Sequence, residues 1–331
     1  MISALESLQP VQLDAGTVFS GQASGVPVNG YAAPCPYTPR LDPDYVLEGD
    51  SARDLVVWLV HGTEPLFLTG PTGCGKTSGI KQVAARVNLP VFEVTGHGRL
   101  ELADLLGHLS VREGSMVFEP GALTLAMRYG GLFLLDEIDL ISPDVTAGLN
   151  GILDGSPLCL SENGGEIVDP HPMFRFAATA NTAGAGDESG LYSGTLRQNL
   201  ALMDRFMVCQ VDYPSEETEI ALLTRKFPDL PRSLCSTMVA YAGEIRRLFV
   251  GGDGVTQQIE VTFSTRSLIR WADLTVRYQS LARQGISPVR YALDRALGFR
   301  ASRETRALMD ELCQRMFPTV TASTTTLPTD N

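Results

Sequence analysis

The sequence predicts an α/β fold, a parallel sheet flanked by helices, followed by a smaller all-α domain. Three observations predict it. Between about residues 50 and 213, short apolar runs alternate with helical patterns. A glycine-rich turn, GPTGCGKTS at 70–78, joins the first of those runs to a helix. From 215 to 317 the apolar residues recur at three- and four-residue spacing.

Bulk properties bound the answer. The chain has 331 residues, 44% of them hydrophobic, enough for one large domain and a smaller one. No apolar run approaches the roughly 20 residues that cross a bilayer. The start, MISALESLQPVQLD, lacks the basic and apolar regions of a secretion signal. Six cysteines (35, 74, 159, 209, 235, 313) show no CxxC spacing, and four histidines (61, 97, 108, 171) form no ligand cluster. Neither a disulfide framework nor a zinc site is expected, and the chain reads as a reduced, cytoplasmic protein. A net charge of −12 speaks against nucleic acid and against an anionic membrane as partners. That charge is uneven. Residues 265–306 hold nine arginines against Asp273, Asp294 and Glu304, a net of +6, and the remainder carries −18. The segment is either a solvated helical face or a basic surface that meets a neighbouring subunit's acidic body.

In chain order, residues 1–45 are rich in Gly, Pro and Ala and read as an extended, loop-like N-terminal segment. The core at 46–213 carries the strand-like runs LFLTG (66–70), VFEVTG (91–96), LFLLDE (132–137), FRFAATAN (174–181) and MVCQVDY (207–213). Two hairpin insertions are expected in it, near 107–121 with a Glu-Gly turn and near 159–172 with Asn163-Gly164-Gly165 as the turn. A helical lid domain spans 214–317, and the Thr-rich tail at 318–331 reads as disordered.

The stretch Gly70-Pro71-Thr72-Gly73-Cys74-Gly75-Lys76-Thr77, continued by Ser78, fits GxxxxGK[ST] at every fixed position. Its context, an apolar strand before and a helix from Lys76 to about Val87 after, is the one such a phosphate loop needs. Glycines let backbone N–H groups turn inward around phosphates, and the helix N-terminus adds positive potential. Lys76 would then reach the outer phosphates of a nucleoside triphosphate and Thr77 would coordinate Mg²⁺. Cys74 fills a free position of the pattern.

Next, Leu132-Phe133-Leu134-Leu135-Asp136-Glu137 puts two carboxylates at the C-terminal tip of a buried strand, where ligands bind in open α/β sheets. Asp136 suits the Mg²⁺ shell and Glu137 suits orienting and deprotonating the attacking water. The pair favours hydrolysis over transfer to a substrate hydroxyl. A third strand ends in Asn181, a polar tip suited to hold that water or sense the γ-phosphate. Arg205 follows a further helix, too far along the chain for its own phosphate loop. It either reaches a neighbour's γ-phosphate or pairs with Asp204 at the surface. Ser264-Thr265-Arg266 opens a helix of the all-α region, where Arg266 is placed to contact the nucleotide from a lid.

Together these residues resemble the AAA+ ATPases, their MoxR-like branch, and within it the ATPase subunits of aerobic cobaltochelatases (CobS type). The resemblance spans most of residues 25–317. It rests on TPRLDPDY (38–45), GPTGCGKT, LFLLDEID and FAATANTAGAGDESGLYSGTLRQNLALMDRF (176–206). It implies that Asn181 is the first sensor, Arg205 the arginine finger and Arg266 the second sensor. It further implies a homo-oligomeric ring, most often a hexamer, a partner carrying a von Willebrand A (VWA) domain, and a large chelatase subunit. The hairpins would then face the ring pore or a partner. The DxSxS residues of a VWA domain do not occur here. Departures at 226–260, including GGDGVTQQ, and in the tail leave the partner open. So do two other readings, a MoxR-type chaperone for another VWA-linked metalloenzyme and a non-catalytic nucleotide-gated scaffold.

Overall fold

The computed structural model describes residues 2–62, 64–184, 186, 192, 194–250 and 259–317. The expected disordered tail (318–331), the GGDGVTQQ loop (251–258) and most of the GAGDESGLYSGT stretch (184–195) lie outside the described residues. The chain divides into two compact units, Met1–Asp212 and Tyr213–Asn331.

The N-terminal stretch of the first unit is folded where loop was expected. The stretch 1–45 contains the helices Ile2–Glu6 and Ala15–Ser20, and an antiparallel pair of β1 (Pro10–Asp14) with β2 (Pro27–Tyr31). Composition suggested loop because Gly and Pro are turn residues, but burial overrides it. Val28 and Tyr31 are buried, and the Tyr31 hydroxyl donates to the Tyr129 and Gly130 carbonyls, about a hundred residues on, at 2.9 and 2.8 Å. The Asp14 carboxylate organises the turn by accepting from the amides of Thr17 and Gly25 at 2.7 and 2.6 Å.

The central sheet is built from β3 (Leu66–Thr69), β4 (Val91–Thr95), β7 (Leu132–Asp136), β10 (Arg175–Ala180) and β11 (Met207–Gln210). Its order is β11-β3-β10-β7-β4 and every pairing is parallel. Leu66–Leu68, Leu132–Leu135 and Phe176–Ala178 are buried. Strands covered on both faces read as unbroken apolar runs, which is why they stood out in the sequence. The other strands form two ribbons. In the first, β5 (Gly107–Arg112) pairs with β6 (Ser115–Pro120) across Glu113-Gly114. Both turn residues have positive φ, 51° and 81°, as a two-residue turn of right-handed twist requires. Its polar face is laced by Glu119, which accepts from Ser110 and, at 2.8 Å, from Arg112 Nε. Val111 and Met116, paired on the other face, are 73% and 68% exposed. In the second ribbon, β8 (Leu158–Leu160) pairs with β9 (Glu166–Val168), and Ile167 is 67% exposed. Arg128 holds that ribbon through a two-oxygen contact to Glu166 at 2.8 and 2.9 Å.

The second unit is helical: Glu216–Lys226, Arg232–Val250, Thr265–Arg277, Pro288–Ala296 and Arg303–Met316. Four of these begin at a serine whose hydroxyl accepts from the third helical amide: Ser215, Ser264, Ser287 and Ser302. Such caps satisfy an otherwise orphaned N–H and set where each helix starts. Tyr241, Phe263 and Trp271 stack in its core. Glu219, fully buried, takes both Nη groups of Arg246 at 2.8 and 2.7 Å and the Thr265 hydroxyl at 2.6 Å. Among the described residues no helix is long and apolar enough to cross a membrane.

Candidate active site

The strand order decides what meets. β10 lies between β3 and β7, so the residues that follow these three strands emerge side by side at one edge of the sheet. They are the phosphate loop 70–77, the Asp136-Glu137 pair and Asn181.

Within the loop, glycine is required by the backbone. Gly75 has φ +109°, a conformation closed to L side chains, and a Cβ on Gly70 would run into the Val211 carbonyl. The helix Lys76–Arg86 starts here. Lys76 is 8% exposed, and its ammonium donates to the Gly70 and Pro71 carbonyls at 2.7 and 3.0 Å and to Asn181 Oδ1 at 3.2 Å. All three acceptors are neutral. Burial pushes the Lys76 pKa down, and the nearby Cys74, Asp136, Asp139 and Glu137 oppose that. A buried cation whose hydrogen-bond acceptors are all neutral fits an arriving phosphate anion. Cys74, 5% exposed, has its thiol pushed up by burial, so it is a space-filling group and not a thiolate nucleophile.

Thr77 Oγ1 donates to Asp136 Oδ1 at 2.7 Å. A hydroxyl and a carboxylate oxygen converging beside a phosphate loop are the hard donors that Mg²⁺ takes alongside phosphate oxygens and water. Thr179, which sequence reading passed over as a site residue, organises both acids. Its hydroxyl donates to Asp136 Oδ1 and accepts the Glu137 amide at 3.2 Å. Glu137 adopts φ +58°, a left-handed backbone costing about 1 kcal/mol in a non-glycine residue. Gly96 accommodates it, since a Cβ there would strike the Glu137 carbonyl.

Asp139 was also missed. It is fully buried, and its Oδ2 accepts from the amides of Asn181 and Thr182 at 3.0 and 3.2 Å and from the Thr182 hydroxyl at 3.1 Å. It thereby sets where Asn181 sits. Its only sequence signal was the spacing, three residues after Asp136 in LFLLDEID. Asp139→Ala is expected to cost about 2–3 kcal/mol, because two buried amides lose their acceptor. Asp139→Asn, keeping one oxygen, should cost less than half of that. Denaturant midpoints of the three proteins check this, and an alanine variant as stable as the parent would contradict it.

The segment 38–45 braces the same helix from outside. Gln82 accepts from the Asp42 amide and donates to the Arg40 carbonyl, each at 3.0 Å, and Arg86 donates to the Tyr45 carbonyl at 3.0 Å. Tyr45, its pKa pushed up to about 12 chiefly by burial, lies against Gly75 and Gly79.

Arg205 stands elsewhere in the first unit. Arg205 precedes β11, which runs parallel to β3 with Met207 opposite Leu66 and Gln210 opposite Thr69. Arg205 therefore lies at the opposite edge of the sheet from Gly70, about 20 Å away at strand rise and beyond an arginine's reach. Its guanidinium pairs with Asp154 and not with the adjacent Asp204. Arg266 belongs to the second unit, exposed in the first turn of Thr265–Arg277. All six cysteines are free, and no group of three or more His, Cys, Asp or Glu among the described residues is placed to hold a metal ion.

Residues 65–206 match the family model "AAA domain (dynein-related subfamily)", and residues 219–316 match "CbbQ/NirQ/NorQ C-terminal". The chain is 32% identical over 255 residues to the aerobic cobaltochelatase subunit CobS of Sinorhizobium sp, covering 74% of this chain and 75% of that protein. It is 32% identical over 248 residues to protein NorQ of Paracoccus denitrificans, covering 75% and 83%. To the denitrification regulatory protein NirQ of Pseudomonas aeruginosa it is 33% identical over 210 residues, covering 63% and 75%.

Proposed function

This chain belongs to the MoxR-like branch of the AAA+ ATPases, and from that membership we propose that it works as a closed homo-oligomeric ring, a hexamer, that spends ATP on remodelling a partner protein. The observation that carries this reading is the split of one catalytic set across one sheet. Lys76, Thr77, Asp136 and Asn181 gather at the C-terminal edge, while Arg205 stands at the other. A neighbour in a ring supplies what each subunit lacks.

In this reading Lys76 would bind the outer phosphates, and Thr77 and Asp136 would hold Mg²⁺, which would supply charge neutralisation. Glu137 takes the proton of the attacking water, and Asn181, anchored by Asp139, orients that water. Arg205 of one subunit stabilises charge on the phosphoryl group bound by the next. Arg266 senses the nucleotide from the helical unit. The exposed apolar residues of the two ribbons, Val111, Met116 and Ile167, are the surfaces that meet the client.

By its likeness to a cobaltochelatase subunit, the partners are a VWA-domain protein and a large metal-inserting subunit, in the cytoplasm, and the work is cobalt insertion. The likenesses to NorQ, at 32%, and to the denitrification regulatory protein NirQ, at 33%, favour a second client class, a denitrification system served by a MoxR-type chaperone.

Mass tests the ring. With ATP and a hydrolysis-blocking substitution the protein is expected to run as a particle of about six subunits, and a monomer at micromolar concentration would overturn the reading. Coupling tests the ribbons. Replacing Arg112–Val117 by a short Gly-Ser turn, or shortening Ser161–Ile167, should leave basal ATPase within about threefold of wild type, because a hairpin tip is cut without opening the core. Partner stimulation, or ATP-dependent cobalt insertion with all three subunits present, should disappear. Full insertion by both variants would remove the ribbons from the mechanism.

A further inference from the structure

Asp154 ends the short helix Asn150–Leu153 and stands four residues before β8, at the foot of the second ribbon. Its carboxylate takes Arg205 side-on, Nε to Oδ1 at 2.8 Å and Nη2 to Oδ2 at 2.9 Å, and Arg205 Nη1 donates back to the Ala201 carbonyl. These contacts engage three of the five N–H donors that a guanidinium carries in a rigid fork. The two that remain are one on Nη1 and one on Nη2, the distal edge of the fork. Both residues line a cavity of about 830 Å³ that is open to solvent.

We propose that Asp154 is the positioning residue of Arg205: it fixes the guanidinium so that its distal edge faces a neighbour's terminal phosphate, and it fastens that arginine to the foot of the second ribbon. The proposal rests on Arg205 acting in trans. An arginine left loose on its stem must lose its rotamer freedom when the transition state forms, whereas one already gripped has lost it beforehand. The pair is bidentate and joins segments 51 residues apart, unlike the one-turn contacts that helices make with themselves. It also gives the ribbon a direct route to catalysis. A client that shifts the ribbon foot shifts the arginine offered to the next subunit.

The test uses Asp154→Ala and Asp154→Asn in the full chain. Asp154→Ala should lower kcat about tenfold with KM for ATP unchanged, because the variant's own pocket is untouched. Asp154→Asn should recover part of the loss, since its one oxygen still accepts from Nε. Mixing Asp154→Ala with Lys76→Ala subunits should restore turnover, for the second protein brings an intact, supported finger to the first protein's intact pocket. A kcat that stays level or rises overturns the proposal. So does a mixture that fails to recover while Arg205→Ala with Lys76→Ala recovers, since Asp154 would then act on its own pocket. If the Arg205→Ala mixture also fails despite subunit exchange, the trans reading has failed and takes the proposal with it.

Discussion

Glu137→Gln is expected to bind ATP as wild type does and to hydrolyse it at least about a hundredfold more slowly. The substitution is isosteric and removes only the base. Lys76, Thr77 and Asp136, which would hold phosphates and Mg²⁺, make their contacts to one another and to neutral groups, and none of those hydrogen bonds runs through the Glu137 side chain. The Glu137 amide keeps its bond to Thr179, so the left-handed backbone is preserved. A fluorescent-nucleotide titration together with steady-state phosphate release checks both halves. Turnover within about threefold of wild type would take Glu137 out of the mechanism.

Arg205→Ala should keep nucleotide affinity and lose about 10²–10³ of turnover, because it removes a charge that acts in the transition state on another subunit's phosphate. The strand register supports the trans reading: Arg205 and the phosphate loop lie at opposite edges of one sheet. Lys76→Ala fails differently, by losing affinity. Equal amounts of the two inactive proteins should therefore complement. In a randomly mixed ring roughly a quarter of interfaces join an intact pocket to an intact finger. Recovery towards that fraction supports the assignment. No recovery at any ratio, with subunit exchange demonstrated, would end it.

The fold class was legible because its signals are local or periodic. Strands buried on both faces must be apolar throughout, a phosphate loop must carry glycine where a Cβ would clash, and helices show apolar residues at three- and four-residue spacing. The loop, the Asp-Glu tip and Asn181 could be named because each ends a strand that reads clearly. Thr179 and Asp139 could not. A threonine inside a strand and an aspartate after an acidic pair look ordinary until their partners, 42 or 43 residues away, are seen.

The N-terminal segment shows the same boundary from the other side. Its Gly- and Pro-rich composition pointed to loop, yet Tyr31 is inserted against residues 129 and 130 and pairs its strand with another. For Arg205 the surface alternative was a pairing with the adjacent Asp204, and the partner that holds the side chain is Asp154, 51 residues away. By itself the sequence determined the strands of the central sheet, the nucleotide-gripping turn and the chemistry of ATP hydrolysis, since backbone sterics and strand burial are written in neighbouring residues. The tertiary structure alone decided which edge each residue occupies, what anchors Asn181 and what holds Arg205, because hydrogen bonds between distant segments leave no periodic trace in the chain.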